Sequence, residues 1–352
     1  MNTESFRPVW VHPSLRGEMQ ARKRADSLCL GEMEHAFHYV GVRQTQLWLE
    51  VHRNHAPMFG DPAFEAIYRR IFTDVAANLN GQPLHVIGLG TGGGQKESRL
   101  LEALQSAGCP CRYTPIDISL ELALLSAETA AGKSSYDIMP VAGDLSLLSE
   151  LPDWLERYPA GEMRIYTAFG LTPNFLPSWL FPRLHGVLRP QDKLLLSANL
   201  ALENGASDTD ASYHSACAAI LPQYDNAETR QWLGQVLVDW GIAEYLTPLR
   251  FTIKPIEKLQ AFVARSTWRE DVSFPWEGKY FQARKGDELR LFFSLRYTPK
   301  RLEEVLNRHG FTLGPGYCTP CGREGVWQMA CYQIESSHPV ESEYTSGQLS
   351  WK

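Results

Sequence analysis

The sequence lacks the features that would direct a chain to a membrane, to nucleic acid or to an oxidising compartment. It has no run of about 18 uninterrupted apolar residues, so no transmembrane helix is expected. Its opening stretch, MNTESFRP, has no apolar core, and we expect no signal peptide. The net charge of −6 argues against a general nucleic-acid binder, which usually has a basic excess. The 7 cysteines are scattered, which favours a reducing cytoplasm over a disulfide framework.

Motifs of several enzyme classes are also missing. The 10 histidines form no HExxH zinc motif, there is no GxSxG nucleophile elbow, and Lys96 does not complete a P-loop. Cys318-Thr-Pro-Cys321 is a CxxC pair, but a structural zinc site needs a second pair, and Cys109-Pro-Cys111 has the wrong spacing. We therefore predict a turn between two strands at the CxxC pair, and no metal site.

A strand, a glycine turn and a helix follow one another directly in the first half of the chain. Residues 84–89 have the apolar pattern of a short strand, and residues 98–104 place leucines on one face of a helix. Glycine permits positive φ and a close approach of the backbone to a ligand, and a helix N-terminus favours an anionic group. This succession predicts the opening of a nucleotide-binding βαβ unit. The glycines of the turn are Gly88, Gly90, Gly92, Gly93 and Gly94.

Two cofactors are compatible with this unit. Gly88-x-Gly90-x-x-Gly93 matches the dinucleotide fingerprint, so NAD is one alternative. The next strand ends at Asp117, which could meet the ribose of either cofactor. A third strand, residues 138–143, is followed by Asp144, which resembles the acid or amide that meets the adenine in class I S-adenosylmethionine (SAM) methyltransferases. Asp144 can also cap the helix that follows it. The second acid favours SAM over NAD.

The alternation of strands and helices predicts an α/β fold with a mostly parallel sheet. The alternation stops near residue 202 and resumes near residue 295, so the segment between is predicted to be an insertion. The fold class is thus a Rossmann-like, class I methyltransferase sheet with an auxiliary α+β substrate lobe. The predicted division is a polar arm at 1–13, the N-terminal helical part of the auxiliary lobe at 14–80, the SAM-binding core at 81–202, the inserted lobe at 203–294, a return to the core at 295–335 and a polar tail at 336–352.

Methyl transfer from SAM makes few demands on side chains. The sulfonium is already activated, so an enzyme mainly holds the nucleophile in line with the methyl carbon and keeps water out. An amine nucleophile must also lose a proton, which a carboxylate, a tyrosine or water can accept. The lack of a catalytic triad is therefore consistent with a methyltransferase.

Short motifs in a specific order cover roughly residues 84 to 330. In this order they resemble the histidine-specific SAM-dependent methyltransferases of the ergothioneine pathway, which methylate the α-amine of histidine. The motifs are Gly90-Thr-Gly92 with Lys96-Glu-Ser-Arg99-Leu-Leu, Tyr113-Thr-Pro115-Ile-Asp117-Ile-Ser119, Gly143-Asp144, Pro173-Asn174-Phe175, Tyr224-Asp225-Asn226 and Arg296-Tyr297-Thr298.

The resemblance implies a SAM site at the glycine turn. Gly90 and Lys96 would hold the methionine part, and Asp117 the ribose. Asp144 and Leu145 would flank the adenine. The full set of predicted cofactor-binding residues is Gly88, Gly90, Gly92, Lys96, Asp117, Asp144 and Leu145.

The resemblance also implies an acceptor site, with one departure from the family. Asn174 and Tyr224 would face the carboxylate and amine of the substrate, and they are the predicted catalytic residues. The family's Thr-Glu-x-Ser motif holds the imidazole of histidine, whereas this chain keeps Ser294 and has Phe292 in place of the Glu. A carboxylate–imidazole hydrogen bond contributes about 1.5–3 kcal/mol. We therefore expect histidine to be held less well, and an aromatic, apolar or modified imidazole group to be favoured.

Two further residues complete the predicted substrate side. Tyr39 belongs to an aromatic and glycine-containing stretch, residues 37–45, which is either a lid over the substrate or a packed loop. Phe169 lies at the end of the fourth strand, where open α/β sheets bind their ligands. The predicted substrate-binding residues are Tyr39, Phe169, Asn174, Tyr224, Phe292 and Ser294.

The leading hypothesis is a cytoplasmic SAM-dependent N-methyltransferase of a small amino acid or related amine. It would act as a monomer or homodimer, without nucleic acid or membrane. S- or O-methylation of a small metabolite is the alternative within the same fold. An NAD-linked oxidoreductase is a further alternative, although no Ser/Tyr/Lys or His/Asp pairing is evident to carry hydride transfer. A binding protein without activity would have no SAM affinity, and Lys96, Asp117 and Asp144 argue against it.

Overall fold

Fourteen strands and ten helices make up the part of the chain that the computed structural model describes, residues 8–56, 61–79, 81–132, 137–159, 162–201 and 207–331. The predicted tail and the first seven residues of the predicted arm lie outside it. The strands are β1 Trp10–Val11, β2 Leu84–Leu89, β3 Cys111–Asp117, β4 Asp137–Ile138, β5 Val141–Ala142, β6 Met163–Ala168, β7 Lys193–Asn199, β8 Arg250–Ile256, β9 Leu259–Thr267, β10 Val272–Trp276, β11 Lys279–Ala283, β12 Glu288–Arg296, β13 Phe311–Cys318 and β14 Glu324–Cys331. The helices are α1 Gly17–Leu30, α2 Val42–His55, α3 Pro62–Ala77, α4 Gln95–Ser106, α5 Leu120–Ala131, α6 Leu151–Leu155, α7 Pro177–Val187, α8 Asp210–Ile220, α9 Ala227–Asp239 and α10 Pro299–Arg308.

The main sheet has the strand order β1-β5-β3-β2-β6-β7-β14-β13, with β4 also beside β3. Strands β1 to β7 pair in parallel, whereas β14 runs antiparallel to β7 and β13 antiparallel to β14. The predicted mostly parallel α/β sheet is confirmed. Strand β2 lies between β3 and β6, so the strand order reverses there, and such a switch point is where open sheets bind ligands.

Helices cover both faces of the main sheet, which is why its central strand has no polar face. Every residue of β2 is buried. Leu84 and Val86 pack under α3, α4 and α5, while Ile87 and Leu89 join the opposite core with residues of α6, α7 and α10. The leucines predicted on one face of the helix after the glycine turn lie in the first of these cores.

The edge of the sheet nearest the N-terminus differs from the prediction in two ways. Trp10–Val11 pairs in parallel with β5, so the segment predicted as a polar arm supplies an edge strand. Its neighbour His12 is buried. The predicted third strand, residues 138–143, is divided into β4 and β5. Pro140 lies between the two, and a proline has no N–H for the ladder.

Helix α3 was predicted to belong to the auxiliary lobe, but it packs on the main sheet. Its apolar residues Ile67, Ile71 and Val75 follow helical spacing and share a core with Leu100 and Leu104 of α4. This apolar face of α3 is buried against the main sheet and its helices, not against the lobe. Helices α1 and α2 lie elsewhere, with Leu28 and Leu47 in the core of the lobe.

The auxiliary lobe is built on a three-stranded antiparallel sheet, in the order β12-β9-β8, and a β10-β11 hairpin. The chain leaves the main sheet after β7 and returns at Tyr297, whose backbone N donates to Asn199 O at 3.0 Å. The carbonyl of Tyr297 in turn accepts from Ala201 N at 2.8 Å. The inserted lobe therefore begins and ends at one junction, and the predicted boundary at residue 294 falls inside β12.

Strand β12 contains a register shift between Arg290 and Phe292. Beyond this bulge the pairing with β9 is regular up to Arg296. Because side chains alternate along a strand, Phe292, Ser294 and Arg296 share one face. Leu295, between them, points to the main core.

Membrane-spanning helices were not expected, and among the helices of the described ranges none is long and apolar enough to cross a bilayer.

Candidate active site

A cleft of about 1780 Å³ separates the carboxyl ends of the parallel strands from the auxiliary lobe. A single small-ligand pocket usually measures about 300–1,000 Å³, so this cleft has room for two ligands side by side. All predicted site residues except Gly88 line it: Gly90, Gly92, Lys96, Asp117, Asp144, Leu145, Tyr39, Phe169, Asn174, Tyr224, Phe292 and Ser294.

Gly88 has a packing role instead of the predicted cofactor contact. It is buried near the end of β2, and a Cβ at this position would overlap the side chain of Thr91. Its missing side chain makes room for Thr91 beneath the turn. The Thr91 hydroxyl is itself buried at the cleft, beside the hydroxyl of Tyr113.

The glycine turn presents bare backbone to the cleft. Gly90 and Gly92 have φ of +62° and +53°, values that other residues rarely adopt. A Cβ on Gly92 would lie 2.7 Å from Cη2 of Trp48, because that α2 ring rests against the turn. The turn therefore requires glycine both for its backbone angles and for the close approach of the lobe.

Asp117 ends β3 and holds the turn in place. Its Oδ2 accepts from Gly92 N at 2.9 Å and its Oδ1 from Ser119 N at 3.0 Å. Burial raises the pKa of Asp117 to about 6, so the carboxylate is ionised at neutral pH. An ionised carboxylate has about four lone-pair sites, and two remain for the hydroxyls of a ribose.

Lys96 is paired with an acid that the sequence reasoning missed. Its Nζ donates to Glu324 Oε1 at 2.9 Å and lies 4.5 Å from the ring centre of Tyr68 and 6.0 Å from that of Phe169. Glu324, the first residue of β14, also accepts from the Tyr68 hydroxyl. A cation and an anion thus lie together where the methionine end of SAM, with its own ammonium and carboxylate, was predicted to bind.

Asp144 caps a short helix, as predicted, and also lines the cleft where it was predicted to meet the adenine. Its Oδ1 accepts from Ser146 N at 2.7 Å, capping the short 3-10 helix Leu145–Ser149. Its Oδ2 accepts from Lys23 Nζ at 2.5 Å, and this α1 lysine also donates to Glu34 at 3.1 Å. Burial alone would raise the pKa of Asp144, but the charge and hydrogen bond of Lys23 outweigh it and lower the pKa. Lys23 therefore connects the lobe to the predicted adenine side.

Tyr39 and Asn174 meet across the cleft. Asn174, in the 3-10 helix after β6, donates from Nδ2 to the Tyr39 hydroxyl at 3.3 Å. The Tyr39 ring centre is 6.0 Å from that of Trp48 and 5.5 Å from that of Trp232. Burial raises the pKa of Tyr39 well above its ordinary value, so the phenol stays neutral. The stretch predicted as a lid or packed loop thus contributes a wall of the cleft.

Phe292, Ser294 and Tyr224 form the far wall. The Tyr224 hydroxyl lies 3.5 Å from Ser294 Oγ. The ring centre of Phe292 is 5.7 Å from that of Trp232 and 4.9 Å from that of His35. Burial lowers the pKa of His35 well below its ordinary value, which leaves the imidazole neutral. The two rings that contact Phe292, at the position where the family has a glutamate, are therefore aromatic and neutral.

Glu97 is a further residue of the cleft that the sequence reasoning did not select. It lies in the first turn of α4, 2% exposed, and accepts from Thr167 Oγ1 at 3.0 Å. Burial raises the pKa of Glu97 to about 7. An acid in the first turn of a helix usually serves the helix dipole at the surface, so the sequence carried no signal of its burial.

Glu97→Gln is expected to stabilise the protein more at high pH than at low pH. The pKa of Glu97 rises from 4.5 to about 7 on folding, so the folded chain binds the proton more tightly. The wild-type free energy of unfolding therefore falls as the pH rises through this interval, by about 1.4 kcal/mol for each pKa unit at most. Glutamine keeps an acceptor for Thr167 and does not titrate. Melting temperatures at about pH 5 and about pH 8 measure the difference.

The matched control for this prediction is Glu128→Gln, an exposed glutamate on the neighbouring helix α5. Its effect on the melting temperature should be small at both pH values. If Glu97→Gln changed the melting temperature equally at both pH values, the buried carboxyl would not be titrating as described.

Cys318 and Cys321 are free thiols at the turn between β13 and β14. Within the described ranges, no three His, Cys, Asp or Glu side chains are grouped so that they could hold a metal ion.

Comparison with known proteins finds a family match in the central segment. Residues 65–219, less than half of the chain, match the model of the family described as histidine-specific methyltransferase, SAM-dependent. The match confirms the family predicted from the motifs and SAM as the family's cofactor. The topology of the main sheet is accordingly the Rossmann-like fold of class I methyltransferases, as predicted.

One curated relative agrees with this assignment over part of its length. A histidine N-alpha-methyltransferase of Mycobacterium tuberculosis is 32% identical over 142 residues, which cover 38% of this chain and 41% of the relative. The chain thus spans about two fifths of the relative it matches, and the activity and substrate of the whole protein are matters for proposal.

Solved structures share only a distant likeness with this chain. A mitomycin 7-O-methyltransferase is 14% identical with a TM-score of 0.40, covering 91% of this chain and 70% of its own. A SAM-dependent methyltransferase from Bacteroides fragilis in complex with S-adenosyl-L-homocysteine is 16% identical with a TM-score of 0.34, covering 76% and 78%. Likenesses at this level carry no argument about function.

Proposed function

We propose that this protein transfers a methyl group from SAM to the amine of a small amino acid, or related amine, that carries an aromatic or imidazole-like group. One observation carries the proposal: a single cleft is lined by residues of both predicted sets, with those for SAM on the sheet side and those for the acceptor on both sides. The acceptor residues of the two sides meet where Asn174, after β6, donates to Tyr39 of the lobe.

The residues of the sheet side fit SAM. The turn at Gly90 and Gly92 has no side chain that would block a ligand, and a Cβ at either position would be strained. Thr91 contributes a buried hydroxyl at the cleft, and Asp117 a carboxylate that can accept from further hydroxyls. Lys96 and its partner Glu324 match the opposite charges of an amino-acid end.

SAM supplies an activated methyl group, so the chain has to position the acceptor and exclude water. Asn174 has a carbonyl oxygen beside the Nδ2 that donates to Tyr39, and an acceptor amine can donate to it. The rings of Tyr39, Trp48 and Trp232 give the lobe side of the cleft an apolar surface that disfavours water. The proton released by the amine can pass to water or a tyrosine hydroxyl such as that of Tyr224.

The far wall supports an aromatic or imidazole-like acceptor group. Phe292, Trp232 and His35 line the cleft and pack on one another edge to face or at a tilt, so an acceptor ring placed against them would meet aromatic faces and edges. Ser294 is the hydroxyl retained from the family motif in this wall. The proposed reaction belongs in the cytoplasm, since SAM is an intracellular cofactor and the free thiols described above suit a reducing compartment. A monomer or homodimer is proposed with it.

Incubation of the protein with SAM and a panel of small amines, followed by mass spectrometry, tests this proposal. The panel contains histidine, thiohistidines, tryptophan, tyrosine and their N-methyl forms. We expect an aromatic or modified imidazole amino acid to gain methyl groups and histidine to react poorly. Efficient turnover of histidine would contradict the role given to Phe292. Lack of any affinity for S-adenosyl-L-homocysteine in calorimetry would overturn the enzyme proposal itself.

A further inference from the structure

Arg296 is a buried cation in the wall of the cleft without an acidic partner. It ends β12 on the same face as Phe292 and Ser294, lines the cleft and is 3% exposed. No acidic side chain of the described ranges forms an ion pair with it. Arg290, on the same strand, pairs with Glu32 at 2.6 Å. Both arginines line the cleft, so one of them has an acid as its counter-ion and the other has none among the described residues.

The bonds that Arg296 does make are all to neutral groups. Nη1 donates to Ser294 Oγ at 3.1 Å and to Leu295 O at 3.0 Å, and Nη2 donates to the Tyr224 hydroxyl. The guanidinium carbon lies 5.0 Å from the Tyr224 ring centre and 4.6 Å from that of Phe262. These contacts fix the direction of the side chain, and the rings stabilise the cation in part, but none of them neutralises its charge.

Burying a charge without a counter-ion costs several kcal/mol, and a protein normally offsets the cost with an opposite charge. Guanidinium has five N–H groups, and Arg296 uses three of them in the bonds above. The others, on Nη2 and Nε, have no acceptor among the described residues. The missing counter-ion is therefore to be sought in the ligand that fills the cleft.

We propose that Arg296 is the counter-ion for a carboxylate of the methyl acceptor, held together with the hydroxyls of Tyr224 and Ser294. The proposal rests on the proposed function and narrows it: the acceptor is an amino acid and not a simple amine. The carboxylate of SAM would be bound by a different residue, Lys96. Lys96 belongs to α4 on the sheet side, whereas Arg296 belongs to β12 on the lobe side. Lys96 and Arg296 would thus each face one of the two carboxylates.

The test compares amino acids with the amines that lack only the carboxylate: tryptophan with tryptamine, tyrosine with tyramine, and histidine with histamine. Each is titrated calorimetrically into protein saturated with S-adenosyl-L-homocysteine. Wild type is expected to bind the acid of at least one pair about 10- to 100-fold more tightly than its amine, the range of a charged hydrogen bond. In Arg296→Gln this preference should fall to about one, while the affinity for S-adenosyl-L-homocysteine is retained.

Two further variants keep the result decisive. Arg296→Lys retains the charge without the planar fork, so it should keep a weakened preference for the acid even if Arg296→Gln does not fold. Arg301→Gln is the matched control, because Arg301 pairs with Asp208 at 3.3 Å and Asp210 at 2.7 Å and does not line the cleft. It should leave the preference as in wild type.

The outcomes separate the two proposals. An acid preference that survives in a folded Arg296→Gln protein, or a wild type that binds no acid of the panel better than its amine, would overturn the role of Arg296. A wild type that does not bind S-adenosyl-L-homocysteine would overturn the proposed function instead.

Discussion

Asp117→Asn is expected to lower the affinity for SAM by about 10- to 100-fold, because a charged acceptor for the ribose hydroxyls is worth about 1.5–3 kcal/mol. The variant should also melt at a lower temperature. Asn has one acceptor oxygen, while both Gly92 N and Ser119 N donate to the carboxylate. Its amide nitrogen would have to face one of these N–H groups whether or not SAM is bound, and a buried donor left unsatisfied costs about 1–3 kcal/mol of stability. Calorimetric titration with S-adenosyl-L-homocysteine measures the effect.

The pH dependence of wild type provides an independent check on the same group. Burial raises the pKa of Asp117 to about 6. Below that pH the free protein holds a proton on the carboxyl, and hydroxyl donors bind the ionised form, so affinity should fall as the pH drops through about 6. Asp117→Asn should lose this dependence together with most of its affinity.

The control for this variant is Asp137→Asn. Asp137 lies on β4, beside the amino end of β3. It pairs with Arg112 at 2.7 Å and does not line the cleft. It should bind S-adenosyl-L-homocysteine as wild type does. Equal affinities for wild type and a folded Asp117→Asn protein would show that the ribose does not meet this acid.

Phe292→Glu is expected to raise the specificity constant for histidine by about 10- to 100-fold, the worth of a carboxylate bonded to an imidazole N–H. Beyond the bulge at Leu291, the strand presents residue 292 on the same face as Ser294. A glutamate there would restore the acceptor that the family motif provides. Methylation of histidine and of the best aromatic acceptor, measured side by side, gives the change in preference.

Phe292→Glu should also lower the stability of the fold, and a control variant must distinguish this loss from the gain in histidine turnover. Phe292 is 4% exposed and packs on Trp232, so a carboxylate there is buried and destabilises the fold. Phe292→Leu, which keeps an apolar side chain, should lose packing without any gain for histidine. If Phe292→Glu bound S-adenosyl-L-homocysteine normally and histidine turnover did not rise, the residue would not contact the acceptor ring.

The cofactor side was the easier part to predict, because its signals are local. The glycine turn, the leucine face of α4 and the acid at the end of β3 each follow from a few neighbouring residues. Asp117 reaches Gly92 across only two adjacent parallel strands. The βα spacing then placed these pieces at the carboxyl ends of parallel strands, without any knowledge of distant contacts.

The residues that were missed owe their roles to contacts between distant parts of the chain. Glu324 meets Lys96 across 228 positions, and Lys23 meets Asp144 across 121. Nothing near Lys23 in the sequence distinguishes it from the other basic residues of α1. Arg296 was recognised as part of a motif, but only the folded structure shows that no acidic side chain of the described residues pairs with it. Helix α3 was misplaced for the same reason, since its apolar stripe could have packed on either side.

The inserted lobe leaves and rejoins the main sheet at one junction, and a rotation of the lobe about that junction would move its parts by different distances. A body that turns about a pivot moves each of its points in proportion to the distance from that pivot. Arg296 is the residue directly before Tyr297, which makes the junction bonds to Asn199 and Ala201. The β10-β11 hairpin lies between residues 272 and 283, at the far end of the strands that lead to it. If the lobe rotates about this junction to admit a ligand, the hairpin moves a long distance while Arg296 hardly moves.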